Sequence, residues 1–191
     1  MLSKHFEDLK LDNYAQKADH ICVVETWLHP NTFDSDFPMA GRSLDHSSYG
    51  RGKGVGIFSE YLKQNCCTAK IAKEDFQMIS IIDSNQSQLI VVYLSSNCNL
   101  INLVQELQGV IRSDLVTIIT GDFNFCKDDK NVLTKFLSKE NFEQIVTSPT
   151  HDEGRTLDHC YVPSSIKGKI ELTTYSPYYS DHDALCITLK L

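Results

Sequence analysis

Val116-Thr117-Ile118-Ile119-Thr120-Gly121-Asp122-Phe123-Asn124 is an apolar, β-branched run, which reads as a buried strand. It closes on a glycine, which lets the backbone turn at low steric cost. A carboxylate and a carboxamide, Asp122 and Asn124, follow at once. Polar groups at the end of a buried strand are held by the sheet and open to a cleft, where enzymes carry chemistry on loops fixed by a rigid scaffold. The same residues also describe an ordinary loop start, so the rest of the chain has to decide.

Working upstream, Leu100, Leu103, Val104, Leu107 and Ile111 repeat at helical spacing, with Asn97 or Asn99 as candidate cap. Before that helix, Phe76 to Ile82 and Gln88 to Leu94 are two apolar runs around a polar turn, a hairpin. The second run delivers Tyr93 near its end, where a lone tyrosine is usually packing. Gly50-Arg51-Gly52-Lys53-Gly54 fits no nucleotide-binding pattern and reads as a turn entering a strand. Arg51 and Lys53 are candidate phosphate contacts there, or a solvated turn. His29 to Ser48 reads as a long surface loop. Ile21 to Val24 is a short buried strand that ends at Glu25, and Trp27 behind it reads as a packed aromatic. Leu2, Phe6, Leu9 and Tyr14 predict one amphipathic helix to about Lys17.

Downstream, Val132 to Lys139 predicts a helix with Asp128 and Asp129 near its start, and Phe142 to Val146 a short strand. Ser148 to Arg155 is a loop holding His151 and Arg155. Thr156 to Val162 is a strand with Asp158 near its beginning, and Ile170 to Thr174 another. Asp181 and His182 precede the last strand, Ala184 to Leu189. Strands outnumber helices and the helices are spread along the chain. That pattern predicts a single α+β or layered α/β domain, two sheets face to face with helices outside.

Length and composition agree. The 191 residues suit one domain, and 41% hydrophobic residues can fill a core. No run is long enough to span a membrane. The seven cysteines show no metal spacing, and Cys66 and Cys67 are adjacent. Cys22, Cys160 and Cys186 sit in apolar runs, which reads as buried, reduced thiols of an intracellular protein. The net charge of -7 weighs against a nucleic-acid partner, unless a cation and a local basic cluster supply the positive field.

Strand ends therefore hold Glu25, Tyr93, Asp122, Asn124, Asp158, Asp181 and His182. Clustered hard oxygen donors suit Mg²⁺, which takes one or two carboxylates plus waters and phosphate. A histidine beside acids and away from cysteine argues against structural zinc and fits phosphoester hydrolysis.

Ile-Cys-Val-Val-Glu25-Thr-Trp-Leu, Val-Val-Tyr93, Gly-Asp122-Phe-Asn124, Thr-Leu-Asp158-His and Ser-Asp181-His182, in that order, resemble the endonuclease/exonuclease/phosphatase superfamily. Within it, Glu-Thr-Trp-Leu, the Arg-Gly-x-Gly-Val turn, Pro-Thr-His and Arg-Thr-Leu-Asp-His look most like the endonuclease domains of eukaryotic mobile elements, LINE-type or Helitron-like. The resemblance implies a four-layer α/β sandwich and a Mg²⁺-dependent DNA endonuclease, with Mn²⁺ able to stand in. It implies that Glu25, with help from Asp181, binds the metal. Asp122 positions or deprotonates water, and Asn124 and His182 hydrogen-bond the scissile phosphate. Asp158 fixes the tautomer and charge of His182, and Tyr93 supports the phosphate or nucleophile. Arg51, Lys53, His151 and Arg155 would line a DNA groove, and a nuclear location would follow if the substrate is chromosomal. The family normally opens with a further strand that carries a metal-binding Asn. This chain starts at the next helix, so the expectation is an N-terminally truncated domain, a piece of a mobile-element polyprotein or a degraded copy, with an open sheet edge. Two other readings remain: a phosphatase or lipid phosphodiesterase of the same fold, and a catalytically weak remnant domain.

Overall fold

The computed structural model describes residues 1–60, 67–126 and 130–190. Cys66, Asp128 and Asp129 lie outside the described residues.

The chain opens with α1 (Leu2–Leu11) and α2 (Asn13–Lys17). The predicted single helix is broken at Asp12, whose backbone is extended and whose side chain accepts from Tyr14 N and Ala15 N. A carboxylate that captures two N–H groups restarts the helix instead of continuing it. Next come β1 (His20–Val24), β2 (Ser43–Ser47), β3 (Val55–Ser59), β4 (Cys67–Ala72), β5 (Phe76–Ile82) and β6 (Ser87–Leu94). Then follow α3 (Leu100–Val110), β7 (Val116–Asp122), α4 (Val132–Lys139), β8 (Phe142–Gln144), β9 (Asp158–Pro163), β10 (Ile170–Tyr175) and β11 (Ala184–Leu189). Asn99 is the cap of α3, accepting from Ile101 N.

Six strands form one sheet in the order β4-β5-β6-β7-β9-β8. Only β6 and β7 are parallel, joined by α3; every other neighbour is antiparallel. The facing layer consists of a three-stranded sheet, β1-β3-β2, and a hairpin, β10-β11. Alternation along the strands separates two cores. Phe76, Met78, Ile90, Val92 and Ile119 face Leu103 and Leu107 of α3 and Leu133 and Leu137 of α4. On the other face, Ile79, Ile81 and Val91 meet Val55 and Ile57 of β3. Ile118, Cys160 and Val162 meet Leu172, Leu185 and Ile187 of the hairpin. Leu2, Phe6 and Leu9 of α1 cover the outer side of the small sheet at Ile21, Leu44 and Phe58. The result is the α/β sandwich expected: helices, sheet, sheet, helices.

Two strands escaped the sequence reading. The expected loop from His29 to Ser48 contains β2, which reads Ser-Leu-Asp-His-Ser, and no strand was expected at β4. Both are edge strands, interrupted by polar residues, so neither shows the apolar run that marks a central strand. Cys22 is exposed and Cys186 half-buried, against the expectation of buried thiols; Cys160 is buried. Cys22 pairs with the fully buried Ile57 and so lies on the core side of its sheet.

Candidate active site

The site is built on register. Tyr93 of β6 pairs with Asp122 of β7, and Asp122 pairs with Asp158 of β9. Three candidate side chains therefore stand in one row across three neighbouring strands. Each shares its face with the inward residues Val91, Ile118 and Cys160. The row lies where β6 and β7 end and β9 begins. Gly121 permits the spacing: its φ is +140°, and a Cβ there would sit 1.9 Å from the Val92 carbonyl oxygen.

Asp122 is 2% exposed. Its Oδ1 accepts from Asn124 N at 2.9 Å and its Oδ2 from Asn124 Nδ2 at 3.1 Å. Asn124 adopts a left-handed φ of 52°, which an Asn tolerates better than most residues, and its Nδ2 also donates to the Leu94 carbonyl at 2.8 Å. Both amide protons are thus engaged, and Asn124 clamps the carboxylate to the end of β6. Burial, and next the charge of Asp158, raise Asp122 to a pKa of about 7.

Asp158 Oδ2 accepts from His182 Nδ1 at 2.8 Å. That bond, opposed by burial, raises His182 to about 9, so the imidazole is a cation at neutral pH. With Nδ1 committed, Nε2 has no protein partner among the described residues. Leu157 N and Asp158 N both donate to Thr150 Oγ1, at 3.1 and 3.0 Å, and Asp183 N donates to the Thr150 carbonyl. Thr150 is fully buried and pins the start of β9 to the loop before β11. The sequence places Thr150 in a loop and in the Pro-Thr-His triplet, a local signal that does not disclose a contact with β9.

Across the cleft, Tyr93 is 5% exposed. Its hydroxyl donates to Glu25 Oε1 at 2.9 Å and to the Gly52 carbonyl at 3.2 Å. Burial and the Glu25 charge push the phenol well above its ordinary value, so it stays a donor. Glu25 and Trp27 have φ of 48° and 57°, a conformation that costs non-glycine residues on the order of 1 kcal/mol or more each. Thr26 N and Trp27 N donate to the carbonyls of Gly54 and Lys53, which ties this loop to the Arg51 turn.

The structure brings Glu25, Tyr93, Asp122, Asn124, Asp158 and His182 into this connected set. His151 joins it: it forms a β-bridge with His182, and the two rings lie edge to face at 4.8 Å. Asp181 is next to His182 in the chain but largely exposed, 3.9 Å from His151 Nε2. Arg155 is placed through its carbonyl, which accepts from Thr150 N and His151 N, while its guanidinium is paired with Glu153. Lys53 Nζ donates to the Glu74 carbonyl; Arg51 lies over the Trp27 ring.

Among the described residues no three His, Cys, Asp or Glu side chains close into a metal cage. A cage is not what Mg²⁺ needs. Glu25, Asp122 and Asp158 offer oxygen only, and their mutual charge raises Asp122. An excess of hard, negative donors fits a hard cation.

No family model matches the chain, and no curated protein matches it. Solved structures do. An AP endonuclease from Archaeoglobus fulgidus superposes with a TM-score of 0.74 at 15% identity, covering 100% of this chain and 96% of that one. The endonuclease domain of TRAS1, a telomere-specific non-LTR retrotransposon, gives 0.66 at 13%, covering 96% and 91%. A mannosyl-6-phosphatase from Bacteroides thetaiotaomicron gives 0.63 at 14%, covering 98% and 91%. A Leptotrichia buccalis protein described as of the endonuclease/exonuclease/phosphatase family is similar at 0.67. The likeness shows the fold, an α/β sandwich that this chain shares with nucleases and phosphatases.

Proposed function

We propose that this chain is a Mg²⁺-dependent phosphodiesterase that cuts DNA, an endonuclease of mobile-element type. The observation that carries the reading is the row Tyr93–Asp122–Asp158, completed by the 2.8 Å contact of Asp158 with His182. It sets a buried carboxylate with a pKa of about 7 beside an imidazolium with a pKa of about 9. Such a pair suits hydrolysis near neutral pH, one group able to take a proton while the other still holds one.

Glu25, with Asp181, would hold the cation, Mg²⁺ or Mn²⁺, which supplies positive charge against the phosphate oxygens. Asp122 takes the proton from the attacking water, with Asn124 holding its carboxylate in place. His182 Nε2–H donates to the oxygen on which charge develops, and Asp158 keeps that imidazole charged and oriented. Tyr93 fixes Glu25 and the Gly52 turn. The fold shared with the TRAS1 endonuclease domain and the AP endonuclease supports DNA as substrate. The net charge of -7 favours a second reading, a phosphatase or phosphodiesterase for a small ester, as in the mannosyl-6-phosphatase of the same fold.

Supercoiled plasmid decides between them. Nicking that needs Mg²⁺, stops with chelator and is lost in Asp122→Ala is the expected result. Turnover of a small phosphoester without nicking would replace DNA by the second reading; no hydrolysis of either would mark a remnant domain.

A further inference from the structure

Resting on that reading, we propose that Arg51, seated on Trp27, is a preset phosphate contact that selects a polynucleotide over a small phosphoester. The chain has four arginines. Arg112 is paired with Asp114 and Arg155 with Glu153, and Arg42 donates to the carbonyls of Gln16 and Ala18. Arg51 has no carboxylate partner among the described residues, although the protein is acidic and four carboxylates belong to the adjoining site. An exposed guanidinium kept out of ion pairs retains its full charge for a ligand.

What holds it instead is an aromatic face. The Arg51 guanidinium lies 5.3 Å from the centre of the Trp27 ring. The indole also lies against Gly52, where a Cβ would be 4.0 Å from it. Trp27 Nε1 is buried with no partner among the described residues, a cost that a phenylalanine would avoid. The turn itself is locked to the reacting groups. Trp27 N donates to the Lys53 carbonyl at 3.0 Å. Tyr93, which holds Glu25, donates to the carbonyl of Gly52, the residue after Arg51. Arg51 therefore stands at a fixed offset from Glu25. A monoester has no second phosphate for Arg51 to meet; a DNA strand does. Stacking removes part of the ordering cost of a long side chain before the ligand arrives. Lys53 is less available, since it rests on Tyr49 and donates to the Glu74 carbonyl.

The test is the affinity of the Asp122→Asn protein with Mg²⁺ for a labelled DNA duplex across a salt series, followed by anisotropy. Added Arg51→Ala should weaken binding about tenfold and lower the slope of log K against log salt by about 1. Trp27→Leu should weaken binding about threefold with the slope kept, because the charge remains but is no longer held. Arg51→Lys should not restore full affinity. In the otherwise native protein, Arg51→Ala should lower kcat/KM for DNA at least about fivefold more than for bis(p-nitrophenyl) phosphate. Trp27 is the chain's one tryptophan, so its emission should shift on DNA binding. Unchanged slope and affinity in folded Arg51→Ala would overturn the inference alone. A parent protein that neither binds nor cuts DNA would overturn it together with the DNA reading.

Discussion

At the scale of single residues, two titrations run against the stability of the metal-free protein. His182 has a folded pKa of about 9 against 6.5 for a free imidazole, so its contribution is complete below 6.5 and is lost as pH rises through 9. Asp122 has a folded pKa of about 7 against 3.8. Its raised value favours the folded state below 3.8, and that advantage is gone once pH has risen through 7. Both signs agree: urea unfolding in chelator should show stability falling by at least about 2 kcal/mol between pH 5 and 9, the partly exposed imidazole being screened by solvent. Asp122→Asn removes the buried charge and should be more stable than the parent at pH 8. A flat profile would mean that water reaches both groups. Asp158 is the lever on His182. Asp158→Asn keeps a neutral acceptor but removes the charge. The imidazole pKa, read by NMR, should drop by at least about 1 unit, with kcat lowered about 100-fold or more. An unmoved titration would leave Asp158 a structural residue only.

At the scale of elements, legibility followed burial. The run ending at Gly121-Asp122 announced a central strand because both its faces are covered. The spans of α4 and β11 coincide with the predicted ones because their apolar residues mark them. β2 and β4 stayed hidden because an edge strand satisfies half its backbone in water and carries little apolar signal. The site residues were legible as letters at strand ends, but their row was not. Register between β6, β7 and β9 is set by pairing of residues far apart in sequence, which no local window contains. Nor did the letters show that Asn124 spends both amide protons on Asp122 and Leu94, or that Thr150 fastens β9. The register has a weak point at Gly121. Gly121→Ala would place a methyl 1.9 Å from the Val92 carbonyl oxygen, forcing β6 and β7 apart. A loss of about 3 kcal/mol or more is expected in chemical unfolding, with activity lost because Tyr93 and Asp122 separate. A variant of native stability would show that the strands give way without cost.

At the scale of the whole molecule, the site draws on both layers. The six-stranded sheet supplies Tyr93, Asp122, Asn124 and Asp158, while the facing layer supplies Glu25 after β1 and His182 before β11. The two halves of that facing layer are separate sheets, so what holds them in place sets the geometry of the candidate site. A cation held by Glu25, as proposed, would be one clasp: Mg²⁺ should raise the thermal midpoint as its concentration passes the dissociation constant, and Glu25→Gln should abolish that rise. An equal rise in Glu25→Gln would place the metal elsewhere.

The second clasp is Asp12. Its Oδ1 accepts from Tyr14 N and Ala15 N and caps α2. Its Oδ2 accepts from the hydroxyls of Tyr175 and Tyr179, at 2.8 and 2.9 Å. Tyr175 closes β10, and Tyr179 lies three residues before His182. One carboxylate thus ties the helices that cover the small sheet to the hairpin and to the loop that carries His182. Burial opposes its ionisation, yet the hydrogen bonds from Ala15, Tyr175, Tyr179 and Tyr14 outweigh burial and keep its pKa below the ordinary value. The stability it lends is therefore present above pH 3.8 and lost as pH falls through the lower folded value. Tyr178 donates in parallel to Asp8, and Tyr14 stacks on Tyr175 at 4.3 Å. Asp12→Ala should cost about 2 kcal/mol, the upper range for a lost helix cap, because two tyrosine hydroxyls lose their acceptor as well. The loss should be local in character. Amide exchange should speed up in β10 and β11 ahead of β5, β6 and β7, whose cores do not touch the clasp. Turnover should fall with it, since His182 is carried by the loosened loop, whereas the His182 pKa should hold near 9 while Asp158 remains its partner. Uniformly faster exchange across all sheets would show instead that Asp12 supports global folding and that the hairpin needs no fastening of its own.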